Sequence, residues 1–222
     1  MRLSPKLYNY IIPSSEYCRD LGVCISSNLS PSKHCSNIAN LAHFKCRQFC
    51  RTFACKDREF LLLLFRTYIR PILESNSQVW SPYFIRDIDK IENVQRKFTK
   101  YLPGLHNVPY PTRLEILSLD SLEVRRIRAD LVLLFKIVRG LVDVDMLDLI
   151  SFNSSSTRGH HLKLNVQYSR INCHKYYFIH RTIPIWNALP SAVITHDSIS
   201  SFKKALININ LSHYCRGCAY ST

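Results

Sequence analysis

Apolar residues recur at helical spacing through most of the first 140 positions. Ile38, Leu41, Ala42, Phe49 and Phe53 follow at roughly helical spacing, which predicts an amphipathic helix. Lys33, Lys45, Arg47 and Arg51 lie among them as a basic flank, and Ser30-Pro31 supplies a cap and a first-turn proline. Phe60, Leu61, Leu64, Phe65, Tyr68, Ile69 and Ile72 form a second, broader stripe, capped by Asp57 and interrupted by Pro71. A third stripe of Ile88, Ile91, Val94, Phe98 and Leu102 predicts a helix over 87–102. Its basic set is Arg86, Lys90, Arg96, Lys97 and Lys100.

The loop 103–111, with three prolines and one glycine, ends that helix. Thr112-Arg113-Leu114-Glu115 matches a capping box and predicts a short helix behind it. Ser121 opens a longer one, in which Leu122, Ile127, Leu131, Leu134, Phe135 and Val138 recur until Gly140. Residues 143–150 suggest one or two more turns. Two-residue alternation occurs only near the ends of the chain. Leu21-Gly22-Val23-Cys24-Ile25, after residues 17–20, reads as a short strand or hairpin. Leu162, Leu164 and Val166 alternate with His161, Lys163 and Asn165, and Tyr176, Tyr177 and Phe178 continue the strand-like pattern. Residues 183–189, holding Trp186, and 198–209 read as two closing helices.

The fold expected is mainly α. A hairpin lies within 1–29, a helical domain covers 30–150, and a smaller mixed α/β region covers 151–222. The boundary is set at Ser151, just before the linker Ser154-Ser155-Ser156-Thr157-Arg158-Gly159.

Charge adds a partner to this picture. The chain carries 30 Lys and Arg against 16 Asp and Glu, a formal net charge of +14. After Ser151 only Asp197 is acidic, against eight basic side chains, and six of the nine histidines lie there. Such an excess attracts polyanions, nucleic acid first and a membrane surface as the competitor. The near absence of carboxylates argues against two-carboxylate acid–base chemistry in the last third. The most apolar window, 60–65, is too short to span a bilayer, and no signal peptide opens the sequence. Nine cysteines without that context read as reduced, intracellular thiols, with nucleus or cytoplasm left open.

Candidate chemistry is sparse. Cys215 and Cys218 form a Cys-x-x-Cys with His213 nearby, and Cys173 and His174 complete four ligands only if folding joins them. A lone Cys-x-x-Cys is weak grounds for zinc, so no cofactor is expected. Cys46 and Cys50 share a helix face and read as small core residues, like Trp80 and Trp186 among their apolar neighbours. No Asp-Asp pair occurs. The nearest pairs, Asp87/Asp89 and Asp143/Asp145, stand where helix starts favour carboxylates anyway.

Several stretches, in order, resemble the end of reverse transcriptases from non-LTR retrotransposons of the jockey and chicken-repeat type. They are Asp20-Leu21-Gly22-Val23, Arg70-Pro71-Ile72-Leu73-Glu74, Val79-Trp80-Ser81-Pro82-Tyr83 and Ile91-Glu92-Asn93-Val94-Gln95-Arg96-Lys97-Phe98-Thr99. Leu119-Asp120-Ser121-Leu122-Glu123-Val124-Arg125-Arg126, Thr157-Arg158-Gly159-His160, Ile185-Trp186-Asn187-Ala188-Leu189-Pro190 and Ser201-Phe202-Lys203 follow. Each is weak alone, and their order and spacing carry the resemblance across nearly the whole chain. It implies that Leu21, Gly22 and Val23 are primer-grip-like and that the helices after them form a thumb that holds primer–template. The family's polymerase chemistry needs paired metal-binding carboxylates from a palm that would lie upstream. The chain is therefore expected to bind nucleic acid (RNA–DNA hybrid, RNA or DNA) and not to catalyse synthesis by itself. Arg96, Lys97 and Lys100, then Arg125, Arg126 and Arg128, are the candidate phosphate contacts. The alternatives are a trans-acting subunit completed by a separate palm polypeptide and a relic without activity. No membrane partner is expected.

Overall fold

The computed structural model describes residues 6–7, 10–11, 14–53, 57–142, 150–153, 160–166 and 168–217. The predicted turns at 143–149, the linker 154–159, Cys55 and Cys218 lie outside them.

Two antiparallel hairpins open the fold. β1 (Lys6–Leu7) pairs with β2 (Tyr10–Ile11), and β3 (Tyr17–Asp20) pairs with β4 (Val23–Ser26). In the second, Asp20 faces Val23, so Leu21 and Gly22 alone make the turn. Both have positive φ, +44° and +85°, the geometry of a two-residue turn whose twist matches its strands. Glycine meets that requirement without strain, and Leu21 bears it at the exposed tip. β3 is exposed throughout, whereas β4 buries Val23 and Ser26. The Cys24 amide donates to His34 Nδ1 at 3.1 Å, which ties β4 to the first helix.

α1 (Ser32–Thr52) follows, then α2 (Arg58–Leu64). Asp57 caps α2 by accepting from the Phe60 amide at 3.0 Å, as its sequence position predicts. The predicted interruption at Pro71 takes the form of a π-helical turn over Phe65–Ile69, which passes into α3 (Arg70–Glu74). Proline lacks the amide that a regular turn needs and crowds the carbonyl four residues back, so the helix widens there. α4 (Ser77–Trp80), α5 (Ile85–Tyr101) and α6 (Tyr110–Ile116) come next. The capping box does not form. α6 begins two residues before Thr112, with Pro109 at its cap and Pro111 in its first turn, where a proline's missing amide costs nothing. α7 (Leu122–Val138) starts on the Ser121 hydroxyl, which accepts from the Val124 amide at 3.2 Å, and ends ahead of Gly140.

The predicted strand at 162–166 reduces to one bridge, Phe152 with Leu164. Leu164 is buried but Val166 is exposed, so the alternation lacks a sheet face to pack on. Tyr176 and Tyr177 lie between two helices, α8 (Asn172–Lys175) and α9 (Phe178–Asn187), instead of in a strand. α10 (Ser191–Ile194) and α11 (Ile199–Ile207) close the fold. The molecule is thus mainly α with N-terminal hairpins, and among the described residues the last third combines the short helices α8 to α11 with one β-bridge.

Two cores organise these elements. The first joins Val23, the inner face of α1, α2 to α4 and α5, with Phe65 stacked on Phe98 at 4.7 Å. The second joins α7 to α9, α10 and α11 around Trp186, with Phe135 stacked on Phe202 at 4.3 Å. Trp80 and Trp186 are core residues, as their apolar surroundings predict. α7 belongs to both, since Leu122 lies in the first core and Val124, Leu131, Leu134 and Phe135 in the second. The second core therefore draws on both sides of Ser151.

Arg181 from α9 clamps the two. Its guanidinium pairs with Asp130 of α7 at 2.8 and 3.1 Å and donates to the Gln78 carbonyl of α4 at 3.0 Å. Glu123 fastens the chain's last described turn by accepting from the Arg216 and Gly217 amides at 2.9 and 3.0 Å.

A candidate nucleic-acid interface across α1, α5 and α6

α5 is amphipathic, and its two flanks open onto different hollows. On one side it packs along α1. Asn40, His43, Arg47 and Arg51 of α1 face Lys97 and Tyr101 of α5 over a floor of Cys46, Val94 and Phe98, enclosing a groove of about 700 Å³. His43, Arg47 and Arg51 stand four residues apart, which places them in one row on the helix. Burial, and then the charges of Lys97 and Arg47, hold the His43 imidazole below its ordinary pKa.

On the other side α5 meets α6. Asn93, Arg96, Lys97 and Lys100 face His106, Asn107, Tyr110 and Arg113 around an open hollow of about 640 Å³. Lys97 lines both spaces, so groove and hollow form one cationic strip over α5. Among the described residues, the ion pairs involve Arg70, Arg86, Lys90, Arg125, Arg128 and Arg181. None involves Arg47, Arg51, Arg96, Lys97, Lys100 or Arg113.

A buried polar cluster fixes the second hollow from behind. Glu92 is 1% exposed, and its carboxylate accepts from the Tyr110 hydroxyl and from the Leu122 amide at 3.0 Å. Gln95 donates to the Tyr110 oxygen at 3.1 Å and to the Asp120 carbonyl at 3.0 Å. Burial raises the pKa of both Glu92 and Tyr110, although the hydrogen bond from Tyr110 pulls Glu92 the other way. The anchored Tyr110 ring carries two guanidiniums, Arg96 at 5.1 Å and Arg113 at 5.4 Å from its centre.

The six predicted phosphate contacts divide. Arg96 is half-buried and Lys97 and Lys100 are exposed, all three on the strip. The other three lie on α7, outside the strip. Arg125 forms a two-point ion pair with Glu74, one arm at 2.9 Å. Arg126 is 3% exposed. Arg128 pairs with Asp120 and reaches the Ile207 carbonyl. In α7 the arginines serve the junction between the cores, because that helix has protein on most sides. Arg47, Arg51 and Arg113 also line the strip, although the sequence reading did not single them out. The four-residue spacing from His43 was a readable signal for the first two; no sequence signal marked the burial of Arg113.

The primer-grip-like positions also divide. Leu21 is 89% exposed at the hairpin tip and its carbonyl accepts from Asn76 at 3.3 Å, but Val23 is 7% exposed and belongs to the core. Only the tip is open to a ligand.

The zinc candidates are dispersed in role. His213 lies against the Tyr214 ring at 3.9 Å, while burial pushes the Cys215 thiol up to about 12. His174 lies against His180 at 4.2 Å, and Cys173 lines a separate apolar hollow beside Trp80 and Tyr176. Among the described residues, no three His, Cys, Asp or Glu side chains are grouped to hold a metal ion. Cys35 and Cys46 are buried thiols, both pushed up to about 12 by burial. Among the described residues no helix is long and apolar enough to cross a membrane.

The chain is 26% identical over 111 residues to the uncharacterized protein B0403.1 of Caenorhabditis elegans, a match covering 49% of this chain. The match spans 56% of that protein, a little over half its length. No protein-family model matches the chain. No solved structure matches it.

Proposed function

We propose that this chain holds nucleic acid by its backbone, in the manner of a reverse-transcriptase thumb, without itself catalysing synthesis. The observation that carries this reading is the strip over α5, where six Lys and Arg side chains line two adjoining hollows without an ion pair among the described residues. Cations left without carboxylate partners are available to phosphates, and each phosphate neutralised releases counterions. The ordered resemblances to non-LTR reverse transcriptases add a duplex-holding role. The absence of an Asp-Asp pair from the sequence argues for holding over polymerisation.

Fluorescence anisotropy against a labelled RNA–DNA hybrid at several salt concentrations tests it. The logarithm of affinity is expected to fall linearly with the logarithm of salt, losing about 0.9 of slope per phosphate contact removed. Replacing Arg47, Arg51 and Lys97 by Gln should then flatten the slope by roughly 3. A folded protein that fails to bind the hybrid, or binds it with no salt dependence, would sink the proposal.

A further inference from the structure

The hollow between α5 and α6 contains one group that a solvated cationic surface does not require. Arg113 is 3% exposed, and its Nε and Nη1 are buried without a hydrogen-bond partner. Buried guanidinium donors left unpaired are costly, and folded proteins nearly always satisfy them. Nothing on α6 relieves this one. Its ring neighbour Tyr110 has committed its hydroxyl to Glu92 and Gln95, and Arg96 beside it brings only more positive charge. The wall around Arg113 consists of Asn93, Arg96, Lys97, Lys100, His106 and Asn107. That set offers many donors and no carboxylate.

A tetrahedral oxyanion answers these conditions. It brings acceptor oxygens and a negative charge to the four cations that line the hollow, Arg113 among them, and arginine suits such groups better than lysine does. The positions of Arg96 and Arg113 are set beforehand by Tyr110, which is itself held by buried Glu92 and Gln95, so little ordering remains to be done on binding. We infer that the α5–α6 hollow is a discrete phosphate-binding site, with Arg113 its central ligand and Arg96 and Lys100 flanking it, that seats one phosphate of a bound nucleic-acid strand. The inference rests on the nucleic-acid reading for the strand, but not for the phosphate. The phosphate is either a terminal phosphomonoester or an internal phosphodiester, groups that share the oxygens Arg113 needs.

Orthophosphate is the first probe, titrated at constant ionic strength against the arginine Nε–H signals of the whole chain, with the Arg113 signal identified by its loss in Arg113→Lys. Saturable movement of that signal under phosphate, with chloride inactive, is the expected result. In parallel, phosphate should raise the melting temperature of the wild type and not of Arg113→Met. That variant should be at least as stable as wild type without phosphate, because it removes unpaired buried donors. An Arg113 that only packs on Tyr110 would give a less stable Met variant and no phosphate response, and would overturn the site. Binding of labelled hybrid separates this failure from that of the wider reading. If the site is right, Arg113→Gln weakens hybrid binding about tenfold, the size of one charge-assisted contact. If the wild type binds the hybrid with the expected salt slope and Arg113→Gln matches it, the site is refuted while the strip stands. If the hybrid does not bind but phosphate still moves Arg113, the site stands and the strip falls. Hybrids with and without 5′-phosphates identify the source. A loss confined to phosphorylated ends assigns a terminal group, and an equal loss on both assigns the internal backbone.

Discussion

His34 Nδ1 accepts from the Cys24 amide at 3.1 Å, so the ring is neutral with its proton on the other nitrogen, while its face meets Trp80 at 5.0 Å. Burial, and then Arg19, lower its pKa from 6.5. His160 and His180 are also buried and lowered, burial being the larger cause in each, and His180 has both ring nitrogens unpaired. A base lowered in the folded state binds fewer protons than in the unfolded chain. Its contribution to stability is therefore complete above 6.5 and is lost as pH falls through the lowered folded value. Urea midpoints should be level from about pH 8 to 7 and decline between about pH 6.5 and 5. His34→Gln, which retains an acceptor for Cys24, should make that decline shallower. A midpoint flat down to pH 5 would contradict this account of the buried histidines.

At the scale of elements, caps separate what the chain pattern promised from what packing chose. Asp57 and Ser121 accept amide hydrogens at the starts of α2 and α7, and replacing either by Ala should cost about 1 kcal/mol in urea denaturation. Thr112 matched a cap by sequence, yet it is exposed inside α6. Thr112→Ala should thus be neutral or slightly stabilising, within about 0.5 kcal/mol, since Ala is the better helix former. A loss near that of Asp57→Ala would mean that α6 begins at Thr112 after all. The helices themselves were legible because Ile88, Ile91, Val94 and Phe98, or Leu131, Leu134 and Phe135, keep a strict apolar face. The strand read at 162–166 failed because alternation states only which side chains share a face. Whether a second strand lies alongside is decided elsewhere in the chain, and among the described residues only Phe152 does.

Across the whole molecule, α7 and Arg181 join the two cores. Trp80 lies in the first core and Trp186 in the second, so each reports its own half. Trp80→Phe and Trp186→Phe leave one reporter apiece, and their urea transitions should coincide as in two-state unfolding. Separate midpoints would show that the cores unfold independently. Replacing Arg181 by Gln leaves Asp130, 4% exposed, as a buried carboxylate without its ion-pair partner. Breaking a buried pair in this way should cost about 3–5 kcal/mol. The same substitution frees the Gln78 carbonyl, so the two tryptophan transitions should also begin to separate.

The sequence by itself determined the helical class, a hairpin near residues 17–25, two of the caps, the core tryptophans and the surplus of positive charge. Each depends on a residue's own conformational preference or on neighbours within a turn or two along the chain. Only the tertiary structure decided which charges stay free. Arg96 and Arg126 look alike in a string of letters, but one faces a hollow and the other is enclosed between the cores. Arg113 reads as an ordinary surface cation until the fold buries it against the Tyr110 ring. Charge is a property of the residue, whereas its neutralisation depends on partners brought from distant positions, as Arg125 meets Glu74 across 51 residues and Arg181 meets Asp130 across another 51.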